Sequence, residues 1–140
     1  MIIKARQLLV DNGYTCVVFK GDFCFTSRQR GVKPLFELID GEKCVLGGVA
    51  ADKVVGKAAA FIYVIIGIKE LYADVISQSA LDTLQKNGIY VEYTELVPMI
   101  KSRDGKGFCP MEQATLLLDD KYMALDVIKN TLKALSQKNQ

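Results

Sequence analysis

"ADKVVGKAAAFIYVIIGIKEL", residues 51–71, is the stretch on which the fold turns. It opens on the charged pair Asp52-Lys53, passes through Val-Val-Gly-Lys, and runs on apolar with no carboxylate before Glu70. Residues 58–66 are alanine-led, apolar on every side and closed by Gly67, which reads as a buried helix with a glycine cap. Phe61 to Ile66 alone would also suit a strand, so the assignment rests on the length of the whole segment. Just upstream, residues 44–51 form a near-continuous apolar run with two glycines, the pattern of a strand buried on both faces. A glycine and a lysine at the mouth of so apolar a helix have two readings. One is a pocket that receives an anion; the other is a polar start to a buried helix.

Outward from this core, residues 2–11 read as a helix stopped at Gly13. Two β-rich runs follow, 14–20 and 23–27, joined by Gly21-Asp22, a hairpin signal. Pro34 suits the first position of a short helix over 35–39. After residue 67 come a strand over 70–75, a helix over 79–87 with Ser79 and Asp82 as a capping box, and a strand over 89–96. A polar loop, 101–107, leads to Cys109-Pro110-Met111-Glu112 and another helix. The last helix is expected over 121–135, with a frayed tail over 136–140. The alternating middle implies right-handed crossovers between parallel strands, with the antiparallel hairpin at one edge. The fold expected is α/β: a three-layer α/β/α sandwich with a mixed sheet of about five strands.

The chain of 140 residues fits one domain, 1–140, with room for a proper core. Its net charge of +2 is too small to argue for nucleic acid, and the trio Arg28, Arg30 and Lys33 reads as a solvated loop. There is no histidine, which removes histidine metal ligands, histidine bases and Cys-His or Ser-His dyads together. The four cysteines show no C-x-x-C spacing, and no secretory pattern opens the chain, so free thiols in a reducing, cytoplasmic setting are expected. The longest apolar run, 58–68, is short of the roughly 20 residues a membrane helix needs.

Four segments carry a resemblance: "KPLFELI" (33–39), "ADKVVGKAAA" (51–60), "YADVIS" (72–77) and "LVPMIKSRDGKGFCPMEQ" (96–113). Together they resemble a family of small, uncharacterised, mostly bacterial proteins, a domain of unknown function with a cytidine-deaminase-like fold. The resemblance implies that fold, in which zinc deaminases place His-x-Glu at the start of one helix and Pro-Cys-x-x-Cys at the start of the next. The first position corresponds to about Gly56-Lys57-Ala58 and the second to about residues 77–80, and neither motif is present. Zinc-dependent deamination is therefore not expected, and no metal or cofactor is implied.

The residues then offer several candidates. Gly56 at a helix start aims backbone N–H groups and the helix dipole at one spot, with Asp52, Lys53 and Lys57 beside it. The alternative is that Asp52 caps the helix while both lysines point to solvent. Cys109 reads as the N-cap of a helix with Pro110 at its first position, favourable for a nucleophilic thiolate, and Glu112 as a third residue bonding back to that cap. The alternative is a structural helix start. Ser77 either contacts a ligand or joins Ser79 in capping, and Arg103 lies in a glycine-rich loop that suits a lid or an ordinary connection.

Three functions remain open on these residues. The first is binding of a small anionic, nucleotide-like ligand at the strand ends by Asp52, Lys53, Gly56, Lys57, Ser77 and Arg103. The second is an enzyme using Cys109 as a nucleophile or sulfur carrier, with Glu112 beside it. The third is a homo-oligomeric interaction or scaffold protein.

Overall fold

In the computed structural model, which describes residues 1–41, 44–102 and 104–138, the elements run in the order the sequence pattern implies. They are α1 (Ile2–Asn12), β1 (Cys16–Lys20), β2 (Phe23–Ser27), α2 (Lys33–Asp40), β3 (Val49–Val55), α3 (Lys57–Ile66), β4 (Glu70–Ser77), α4 (Gln78–Lys86), β5 (Tyr90–Val97), α5 (Pro110–Thr115) and α6 (Lys121–Lys138). The five strands form one mixed sheet in the order β2-β1-β3-β4-β5. β1 pairs antiparallel with both β2 and β3, whereas β3, β4 and β5 are parallel.

Helix α1 covers one face of the sheet, where Ile2, Ala5 and Leu9 meet Val17, Phe19, Val49, Ala51 and Tyr72. The remaining helices cover the other face, over Val18, Ala50, Leu71, Ala73 and Ile76. Two successive right-handed crossovers moving the same way along the sheet put α3 and α4 on that one side. Helix α3 sits in the middle of this layer, packed by α2, α4, α5 and α6. That position explains why it is apolar all round, and why a run rich in branched residues is helical. Among the described residues no helix is long and apolar enough to cross a membrane.

The structure corrects several boundaries. The strand expected over 44–51 begins only at Val49, because Gly47 has φ +77° and breaks the extended run. Its chain then turns back, with the Gly47 N–H bonded to the Gly67 carbonyl at 2.7 Å and the Gly48 N–H to the Val45 carbonyl at 2.8 Å. The strand continues instead through Asp52-Lys53 to Val55. Ser77, not Ser79, is the N-cap of α4, accepting the Ala80 N–H at 3.2 Å. Helix α6 extends past the expected end at 135 to Lys138, and residues 139–140 lie outside the described residues.

The alternation of the sheet breaks at one level, although the register is the same on either side of it. Pairing skips Lys53–Asp74 between β3 and β4, and Asp74–Thr94 between β4 and β5. The residues facing the helical layer accordingly run Ala50, then Val55, in β3, and Leu71, Ala73, then Ile76, in β4. A break in alternation re-aims the side chains beyond it. Here it turns the last residues of β3 and β4 towards the N-termini of α3 and α4.

Gly67 closes α3 with φ +79°, and its N–H reaches the carbonyls of Tyr63 and Val64. Gly67→Ala is expected to cost about 1–2 kcal/mol through the left-handed backbone. A Cβ there would also meet Leu46, but at the far end of an exposed and movable side chain. A denaturant midpoint unchanged by the substitution would contradict this.

Candidate functional site

The C-terminal ends of β3 and β4 deliver two helix N-termini to one place. β3 passes through Gly56, the N-cap of α3, and β4 through Ser77, the N-cap of α4. First-turn N–H groups have no partner within their own helix and carry the positive end of the dipole. The group that meets them is Glu112, from the first turn of α5, only 1% exposed. Its Oε2 accepts the Lys57 N–H at 2.7 Å and the Ser77 hydroxyl at 2.5 Å, while its Oε1 accepts the Ile100 N–H at 2.7 Å. Gly56 is what permits this approach, since a Cβ there would lie 3.0 Å from Glu112 Oε2 and 3.3 Å from Ile100 Cγ1. An anion does sit at the mouth of the apolar helix, and it belongs to the chain itself.

Lys57 is buried, not solvated. Its Nζ donates to the Leu116 carbonyl at the C-terminal end of α5, 2.5 Å away, and lies 5.7 Å from the centre of the Phe61 ring. A lysine on a final carbonyl satisfies an orphan acceptor of a helix end. Both anchors of α5 to α3 therefore pass through one residue, Lys57: its backbone N–H holds Glu112 and its side chain holds Leu116.

Asp52 belongs to a different place. It is buried within β3, where its Oδ2 accepts the Tyr63 hydroxyl at 2.7 Å and its Oδ1 the Val54 N–H at 3.3 Å. Cys16 Sγ lies 3.4 Å from the same Tyr63 hydroxyl. Burial pushes the Asp52 carboxyl up to about 7, against the opposing pull of its hydrogen bonds from Tyr63 and the backbone. Burial, reinforced by Asp52, also pushes the Cys16 thiol and the Tyr63 phenol upward. The cluster thus holds its protons across the neutral range, apart from Asp52 itself.

Of the residues singled out from the sequence, the structure gathers Gly56, Lys57, Ser77 and Glu112. Asp52 is neither a helix cap nor in contact with Lys57, because the strand carries it into the pair with Tyr63. Lys53 is exposed, with its N–H bonded to the Thr15 carbonyl at 2.9 Å. Arg103 lies outside the described residues. Cys109 is the half-buried N-cap of α5, and its N–H bonds the Ile100 carbonyl at 2.9 Å. Glu112 does not bond back to that cap, because its carboxylate is spent on Lys57, Ser77 and Ile100. With six residues, α5 also offers the Cys109 thiol little dipole. The loop around Arg103 is tied by its own bonds, Ser102 Oγ to Asp104 and the Lys106 N–H to Asp104. Sequence reasoning missed Tyr63, Cys16 and the Ile100 N–H.

Among the described residues, no three His, Cys, Asp or Glu side chains converge as metal ligands would. A shallow apolar cleft of about 290 Å³ lies elsewhere, between the C-terminal ends of α2 and α3, lined by Leu38, Ile39, Val45, Ile65 and Ile66 among others. It presents no cluster of polar donors.

Residues 4–132 match the protein family described as "Domain of unknown function (DUF1893)". The crystal structure of a DUF1893 family protein from Thermotoga maritima is similar at 30% sequence identity and a TM-score of 0.82, over 95% of this chain and 88% of that one. No curated protein matches the chain.

Proposed function

The chain belongs to the DUF1893 family, and from that premise we propose that it is a single, metal-independent binding domain of cytidine-deaminase-like fold. Its ligand is a small anion, a carboxylate or phosphate of nucleotide-like reach, held at the C-terminal ends of β3, β4 and β5. One observation carries the reading: donors from three separate elements converge on the carboxylate of Glu112, with no cation among the described residues that meet it. That is the geometry of an oxyanion receptor, and Glu112 stands where the ligand would bind. The kinship to deaminases is supported by the same convergence, because zinc enzymes of that class set their metal motifs at two successive helix starts. Here those starts carry Gly56-Lys57-Ala58 and Ser77.

The test is native mass spectrometry of the freshly purified chain beside its denatured mass. A small anion is expected to accompany the protein and to be lost in Ser77→Ala, which removes one of its donors. A bare mass for both proteins, together with a stable dimer or larger assembly, would contradict the reading and favour a homo-oligomeric scaffold.

A further inference from the structure

The face of the sheet opposite α5 is only partly covered. Helix α1 lies over β3, with β1 on one side of it and β4 on the other. The Arg6 guanidinium leans over the Tyr72 ring of β4, 4.8 Å from its centre, and the Lys4 ammonium over the Phe19 ring of β1, 5.6 Å from its centre. Among the described residues no helix covers β5 on this side, because the other helices pack on the opposite face. The break in alternation widens the bare strip. Ala73 and Ile76 of β4 turn to the other layer, so Asp74 and Val75 between them both fall on this side. Thr94 does too, since its hydroxyl shares a hydrogen bond with that of Tyr72, and its neighbour Glu95 lies beside Val75. With Glu92 next to Tyr72, the strip is acidic.

Helix α1 has a second apolar row. It buries Ile2, Ala5 and Leu9, yet Ile3 and Val10 are 68% and 65% exposed. With Gln7 between them they follow the i, i+4, i+7 spacing of one helix face, turned away from the sheet that α1 rests on. Lys4 stands next to this row, on the flank away from β4.

We infer that this face is an interface between two copies of the chain, in which α1 of each copy lies on the bare strip of the other. β5 lies two strand spacings, about 9.6 Å, from β3, and packed helices lie about 8–10 Å apart. A second α1 set beside the first is therefore centred over β5. A two-fold axis between the helices makes the contact reciprocal, each α1 being held between its own β3 and the other copy's β5. They run antiparallel, the orientation in which their dipoles attract. Ile3 and Val10 come down on β5 and on Val75 beside it. The flank that carries Lys4 faces away from the neighbouring helix, and so towards Glu92 and Glu95 of the second copy. Opposite charges thus meet in both halves of the interface. It shares no residue with the strand-end anion site on the opposite face, and the dimer forms with that site filled or empty.

Sedimentation of the purified chain tests this. The parent is expected to be a dimer. Val10→Glu sets a carboxylate against the acidic strip from an exposed position, and is expected to give a monomer with an unchanged circular dichroism spectrum. Lys4→Glu and Glu95→Lys are each expected to weaken self-association at least about tenfold. Mixing these two variants restores it, because in the mixed dimer both contacts again join opposite charges. A parent that stays monomeric at every concentration up to about 0.1 mM would overturn the inference and leave the strip to a different partner. A dimer untouched by Val10→Glu or by the charge variants would overturn it as well, and so would two charge variants that fail to associate when mixed.

Discussion

Replacing Glu112 with alanine is expected to cost about 3–6 kcal/mol, a large share of the roughly 5–15 kcal/mol that keeps a domain folded. Among the described residues the side chain has no cation partner whose loss would explain such a cost. What it leaves behind are the Lys57 N–H, the Ile100 N–H and the Ser77 hydroxyl, all deprived of their acceptor at a buried point. Each buried donor without a partner costs about 1–3 kcal/mol. Glu112→Gln keeps the shape and one acceptor oxygen but turns an amide donor towards other donors, so about 2 kcal/mol is expected. Urea unfolding of the three proteins checks both values. An alanine variant within about 1 kcal/mol of the parent would mean that water satisfies these groups, and that Glu112 is an incidental contact.

The second large effect is a dependence of stability on pH set by Asp52. Burial raises its carboxyl to about 7 in the folded chain, whereas in the unfolded chain it titrates near the ordinary value of about 3.9. The folded state therefore binds the proton more tightly. Stability from this group is fully present below about pH 4 and is lost progressively as pH rises to about 7, by on the order of 4 kcal/mol. The chain is expected to be harder to unfold at pH 5 than at pH 8, unlike a protein whose carboxylates are paired with cations. Asp52→Asn should remove most of that slope and raise the melting temperature at pH 8. The amide is accommodated: its oxygen can accept the Val54 N–H, its NH₂ can donate to Tyr63, and the Tyr63 proton can turn to Cys16 Sγ. A variant that keeps the parent's slope between those pH values would show that Asp52 is already ionised in the folded chain.

These two residues also mark how far the sequence could be read. The order of elements was legible because periodicity, glycine caps and the Gly21-Asp22 turn are local signals. The parallel core followed from alternation of strands and helices, and the resemblance to a family of unknown function agrees with the match over residues 4–132 to one such family. Strand β3 was misplaced for a local reason with a distant cause. Gly47 needs a left-handed turn to bond Gly67, and the charged pair Asp52-Lys53 lies within the strand because Tyr63 and Thr15 satisfy it.

The candidate site was legible as a set of residue types and illegible as a set of contacts. Gly56, Lys57, Ser77 and Glu112 were each singled out, but for separate roles. Glu112 lies 55 residues from Lys57 and 35 from Ser77, and no local pattern links them. Ile100 carries nothing in its side chain to announce that its N–H is a ligand-type donor. Lys57 at a helix start reads as solvated because its partner is a main-chain carbonyl, which has no signature in the sequence at all.

The account turns on whether the donors around Glu112 recognise an anion for its own sake. The direct measurement is a titration of acetate into ¹⁵N-labelled Glu112→Ala, following the amide signals of Lys57 and Ile100. The expected result is that both signals move downfield together, saturate in the millimolar range and return to their positions in the parent protein. Signals that stay where the substitution leaves them, at acetate concentrations that saturate simple carboxylate receptors, would show that the strand ends hold only a structural contact and that no anion site exists there.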